Sequence, residues 1–329
     1  LTKLSTAQIG QLSTAQVAGL SSTQLLSMST KQLEALSKNQ IDLLTTNGQR
    51  DVLRDVLAAN NVADLSTNQI TALSSTQIGL LTGSQISALV TDQVQALGVT
   101  QLQTALPKFA TADMAELSTA QISTLNAATV GALTTKQLGS FTTDNLAALS
   151  GDQLRALTVA SLETTVTAAT SDLLTMLGGT TINQLSATQI GGLTASRVGT
   201  LSTNQVAALT QQQVSALDAT RLNALLGGAA AANLDVTKLS DAQVAGLGDI
   251  TDLANGQLNA LAGSQMRALT GAQITALGTT QILELTNMAD MTLEQLSGLS
   301  GAQATAIEAD ATLLASLTDD QREIIGNLS

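Results

Sequence analysis

The chain has 329 residues, with 13 Lys and Arg against 25 Asp and Glu and a formal net charge of −12. So acidic a chain is unsuited to nucleic acid, which needs clustered Lys and Arg. It has no Cys and no His, which removes disulfides, thiolate and imidazole metal sites and Ser–His catalysis. Hydrophobic residues are 44% of the chain but aromatic residues only 1%, so a core must be aliphatic, and no run approaches the roughly 18 consecutive apolar residues of a transmembrane helix.

The chain opens on Leu1 rather than Met and enters a repeat at once. Residues 4–43 read LSTAQIGQ, LSTAQVAG, LSSTQLLS, MSTKQLEA, LSKNQIDL: five copies of an eight-residue unit, apolar, Ser/Thr, x, x, Gln, apolar, x, x. Ser followed three residues later by Gln is a capping box. The hydroxyl of Ser5 accepts from the third helical N–H, and Gln8 reaches back to the N–H of Ser5. Leu4 and Ile9 occupy the two places of a hydrophobic staple. Leu12, Ser13, Gln16 and Val17 repeat the arrangement, as do Leu117, Ser118, Gln121 and Ile122 further on. Each octad thus encodes a helix start, and the next start arrives before two turns are complete.

A single long helix does not fit. Eight residues at about 100° each leave the apolar stripe about 80° out of phase per repeat, so it winds round the rod with no face to bury. A β-solenoid is the alternative, but the first and sixth octad positions would face opposite sides of a strand. The expected fold is therefore all-α: a solenoid or superhelix of very short capped helices, interrupted by a few longer ones. Such helices are too short to stand alone and must be held by their neighbours.

The whole chain, 1–329, reads as one repeat array. Octad blocks occupy about 4–43, 65–104, 117–164, 185–224 and 239–329; irregular segments lie at 44–64, 105–116, 165–184 and 225–238. The first irregular segment holds a longer amphipathic helix over 50–59. The second carries Pro107 and Phe109; the last two carry Gly178-Gly179 and Gly227-Gly228, which read as turns. In the third block LNAATVGA is degenerate, and FTTDNLAA has Phe141 for Leu and Asn145 for Gln. These segments read equally as corners that re-register the coil and as diverged repeats. The recurring Gln reads as a cap in preference to a ladder between coils, because Ser or Thr sits at the matching place each time. An inward Leu, such as Leu133, should therefore matter more than a capping Gln, such as Gln137.

Chemistry has little to occupy. The closest acidic groups are Asp249 with Asp252, and Asp319, Asp320 and Glu323; both clusters read as solvated or helix-start carboxylates. No EF-hand loop, Gly-Gly-x-Gly-x-Asp nonapeptide or Walker loop is present. No catalytic residue, cofactor or metal ligand is expected, and the protein is expected not to be an enzyme. A regular Thr row at the third octad position (Thr6, Thr14, Thr67, Thr119) reads as a solvated face.

At LSTAQIGQ, LSTAQVAG and LTGAQITA the sequence resembles the Leu-[Ser/Thr]-x-x-Gln-[Ile/Val]-x-x arrays of very long secreted and surface proteins of proteobacteria, often labelled adhesin-like or haemagglutinin-like. That resemblance implies export and an extracellular or cell-surface location. Local helix starts are also similar to those of TAL-effector repeats, but the 34-residue period and the basic DNA-facing loops are missing. The expected function is a non-enzymatic structural repeat protein: a filament, surface layer or adhesin stalk built by stacking and self-association into a homopolymer or array. The alternative is a surface-presented binding solenoid for a peptide, a glycan or, least favoured, ice.

Overall fold

The computed structural model describes residues 1–29, 31, 32, 35–37, 39, 40, 62–163, 165, 166 and 171–329. The longer helix expected over 50–59 lies outside them. The chain divides into two compact units, Leu1–Leu173 and Leu174–Ser329. Each is an all-α solenoid of short helices; the longest described helix, Gly301–Ala309, has nine residues.

One octad shows how the sequence makes the element. Ser118 sits at the N-cap in extended conformation (φ −73°, ψ 154°), and its hydroxyl accepts from the backbone of Gln121. Gln121 Oε1 in return accepts the Ser118 N–H at 3.1 Å. The helix Thr119–Thr124 then runs until Leu125, which is extended and donates its N–H to the carbonyl of Ile122 at 3.2 Å. That bond closes a corner, and Asn126 begins the next helix. Reciprocal capping boxes likewise form at Ser5–Gln8 and Ser13–Gln16.

The apolar residues alternate between separations of three and five. Ile122, Leu125, Val130, Leu133, Leu138, Phe141, Leu146, Leu149 and Leu154 are all buried, and they form the core of their stretch. Of the expected staple residues, Ile9, Val17, Leu117 and Ile122 are buried, whereas Leu4 and Leu12 are half-buried. Phe141 fills its Leu place completely, at 0% exposure.

Successive coils meet three helices apart. In the first unit Ala127–Gly131 packs on Gly151–Ala156; in the second Ala195–Gly199 packs on Ala219–Leu226. Backbones approach so closely that only glycine fits at some of these contacts. A Cβ on Gly131 would lie 2.7 Å from the Ala156 carbonyl oxygen, and one on Gly191 2.6 Å from that of Ala216.

The irregular segments keep the three-residue corner and shorten what joins the corners. In 105–116 a 3-10 turn, Leu106–Lys108, sets Leu106 and Phe109 in the core, with the Phe109 N–H on the Leu106 carbonyl. In 225–238 the turns Ala231–Asn233 and Val236–Lys238 end on buried Leu234 and Leu239 in the same way. Leu247 to Ile250, and Leu285 to Met288, are joined by steps of three where a regular octad takes five. The segment 165–184 includes a two-residue antiparallel pair, Thr165–Val166 with Ser171–Asp172. The Gly-Gly pairs serve helix ends rather than free turns: Gly178 is the N-cap of Gly179–Ile182, and Gly227 is the C-cap of Ala219–Leu226, at φ −73°.

Candidate functional site: the glutamine rungs

The octad Gln has two jobs. Its Oε1 closes the capping box of its own helix, and its Nε2 donates to backbone carbonyls of the preceding coil. In the first unit Gln153 Oε1 accepts from Ser150 N at 2.6 Å, while Nε2 donates to Ile122 O at 2.7 Å and Leu125 O at 2.8 Å. Those carbonyls lie 31 and 28 residues earlier. In the second unit Gln213 repeats the geometry on Ile182 O and Leu185 O, both at 2.8 Å.

A carboxamide suits this place because it carries an acceptor and a two-hydrogen donor on one planar group. Corner carbonyls need the donor, since a buried carbonyl retains acceptor capacity that water cannot reach. The result is a ladder of side-chain rungs through the core wall. Gln77, Gln93, Gln153, Gln205, Gln213 and Gln303 are at most 2% exposed. Burial of so polar a group is tolerated only because both ends are bonded.

The ladder follows corners rather than residue count. Past the shortened 105–116 stretch, Gln121 reaches Val94 O and Leu97 O, 27 and 24 residues back. Past Leu247–Ile250, Gln273 reaches Val244 O and Leu247 O, 29 and 26 back. Shortening the link between corners shortens the return and leaves the rung intact. The irregular segments even supply rungs of other chemistry. Lys108 Nζ donates to Gly79 O at 2.5 Å and Leu81 O at 2.6 Å, and Lys238 Nζ to Leu209 O at 2.7 Å. Within the octad blocks other side chains also serve: Arg221 Nε donates to Leu193 O at 2.6 Å, Asn145 Nδ2 to Leu117 O at 2.8 Å, and Asn287 Nδ2 to Leu258 O and Leu261 O at 3.1 and 3.2 Å.

Of the residues singled out in the sequence, Ser118 and Gln121 form both a cap and a rung, whereas Gln8 and Gln16 form caps only. Gln8, Gln16 and Gln24 are exposed, and among the described residues their Nε2 groups meet no carbonyl of another coil. Gln as cap in preference to ladder is therefore corrected: buried side chains such as Gln93, Gln153 and Gln213 do both, whereas Gln85 caps its helix and its buried Nε2 has no partner.

The acidic groups take structural positions. The Asp249 carboxylate accepts from Thr251 N at 2.9 Å and Thr251 Oγ1 at 2.6 Å, and these bonds hold its pKa below the ordinary 3.8. Asp235 is held below 3.8 foremost by the Thr237 hydroxyl, against a burial effect in the other direction and with help from Lys238. Asp319 pairs with Arg322 at 2.5 Å in the first turn of its helix. Among the described residues no group of three or more acidic side chains is placed to hold a metal ion, and no helix is long and apolar enough to cross a membrane.

The family model of the ALTTAQ repeat matches residues 106–143 and 130–159, which supports a repeat array. No curated protein matches the chain.

Proposed function

We propose that the chain is a non-enzymatic structural repeat protein that works outside the cell, as a filament, surface-layer or adhesin-stalk component. The observation that carries this reading is the rung itself. It repeats the same backbone-to-carboxamide contact from coil to coil, so stability is a sum of like local terms and length is open-ended. Buried octad Gln side chains such as Gln93, Gln153, Gln213 and Gln303 are committed to that contact, which leaves the repeat free for cohesion rather than for reaction. The resemblance to proteobacterial surface arrays supports the extracellular placement. Lateral or end-to-end association would turn cohesive coils into a polymer. Light scattering over a hundredfold range of protein concentration, with negative-stain microscopy of the same samples, tests this: growth into fibres or sheets is expected, and a monodisperse monomer at the highest concentration refutes it.

A further inference from the structure

Asn255 and Gly256 form the one Asn-Gly sequence among the described residues, and they open the helix Asn255–Ala260. Packing does not ask for the glycine. A Cβ there would meet nothing within 4 Å, unlike one on Gly131 or Gly191, and its φ lies outside the left-handed region. The start of this helix is also weakly held. Ala254 at the N-cap offers no hydroxyl, so the Gln257 N–H meets only the Ala254 carbonyl, at 2.8 Å. The Gly256 N–H has no acceptor among the described residues.

Asparagines fasten this helix to the coil that follows. Asn255 Nδ2 donates to the exposed Glu284 carboxylate. Asn259 Nδ2 donates to Glu284 O at 2.9 Å, and Asn259 Oδ1 accepts Thr286 N at 2.8 Å. The Asn287 rung on Leu258 O and Leu261 O completes the seam.

We propose that Asn255–Gly256 is a site of spontaneous deamidation, restrained by Glu284, whose product unfastens the seam between these two coils. The Gly256 nitrogen, once hydroxide has taken its proton, attacks Asn255 Cγ. The new C–N bond forms, the Cγ–Nδ2 bond breaks, and the amide nitrogen leaves as ammonia with a proton from water. Water then opens the cyclic imide at either carbonyl, giving an aspartyl or an isoaspartyl residue at 255. Glycine favours the attack because no Cβ hinders it and its backbone turns freely. While the Asn255 amide is tied to Glu284, the side chain is not free to turn onto the Gly256 nitrogen. The aspartyl product has no hydrogen to donate and sets a second carboxylate against that of Glu284, so a bond becomes a like-charge contact. The isoaspartyl product also lengthens the backbone two residues before Gln257, whose Nε2 donates to Ala231 O at 3.0 Å and Leu234 O at 2.8 Å. Neither product reverts, so the seam, once open, stays open.

The test is mass-spectrometric peptide mapping of the full chain aged in mildly alkaline buffer. Asn255 should exchange its amino group for hydroxyl severalfold faster than Asn259, which stands in the same seam and is followed by Ala260. Gly256→Ala, for which there is room, should slow the change, and Glu284→Ala should speed it. Hydrogen exchange reads the consequence. Amides of 255–260 and 284–287 should exchange severalfold faster in N255D, and N255D/E284Q, which again sets a carboxamide against a carboxylate, should recover protection. Equal ageing of Asn255 and Asn259, an unchanged rate in G256A, no acceleration in E284A, or no recovery in N255D/E284Q overturns the proposal.

Discussion

Gln153→Ala separates the two jobs of the octad glutamine. Gln153 is 1% exposed and makes three backbone bonds, one at its own N-cap and two to the coil behind. Loss of the cap bond costs about 1 kcal/mol. Each Nε2 bond to a backbone carbonyl adds about 1 kcal/mol, since Ile122 O and Leu125 O sit in a wall that water does not reach. The expected loss is about 3 kcal/mol, comparable with about 2–5 kcal/mol for a buried Leu→Ala. Gln16→Ala is the internal control, because Gln16 makes the cap bond and no described rung; about 1 kcal/mol is expected there. Unfolding of a repeat array need not be two-state, so the assay is native-state hydrogen exchange followed locally. Amides of 118–157 should exchange about 100-fold faster in Q153A, and amides of 13–20 about fivefold faster in Q16A, since 1.4 kcal/mol is tenfold. Equal acceleration at the two sites would show that the inter-coil bonds contribute nothing and that capping alone accounts for the Gln.

Gly191→Ala should destabilise by about 1–3 kcal/mol, because the new methyl would lie 2.6 Å from Ala216 O and 3.1 Å from Ala216 Cβ. Gly271→Ala, with nothing within 4 Å of the added carbon, should instead stabilise by about 0.4–1 kcal/mol; urea denaturation of the two variants reads the opposite signs. Asp235, whose pKa is depressed below 3.8 by Thr237 and Lys238, contributes stability that is fully present above that value and is lost as pH falls through its lower folded value. Asp235→Asn should therefore lower the melting temperature at pH 7, and the difference from the unaltered chain should vanish by about pH 2; a difference that persists unchanged in acid contradicts the assignment.

The local half of this architecture is legible in eight residues. Ser5 and Gln8 announce a cap by their spacing, and Leu4 with Ile9 announces the apolar pair, because capping is a contact between positions three apart. The rung is a contact across about 28 residues, and nothing within the octad points to it. One hydrogen-bonded end explains the Gln, so the other end goes unasked. A closer signal existed: a Ser-x-x-Gln box uses only Oε1, and an amide Nε2 beside the buried Ile122 or Leu154 needs an acceptor of its own. The irregular segments concealed the same logic. Leu106-x-x-Phe109, Val236-x-x-Leu239 and Met288-x-x-Met291 are corners identical in spacing to Ile122-x-x-Leu125, but a search for period eight passes over them. Lys108 and Lys238 look like solvated charges in sequence, and only the coil behind them shows the carbonyls they hold.

The choice of carboxamide for nearly every rung has a physiological corollary. Asn and Gln neither gain nor lose a proton between strong acid and strong base, and they carry no net charge for salt to screen. Cohesion built on them should be nearly indifferent to brine, to acid and to the ionic changes of an unbuffered surrounding. Of the few cationic rungs, Lys108 donates to neutral carbonyls, whereas Arg221 and Lys238 also pair with Asp218 and Asp235, so salt can screen only that small part of the wall. Such a wall keeps its strength where proteins fastened by salt bridges loosen.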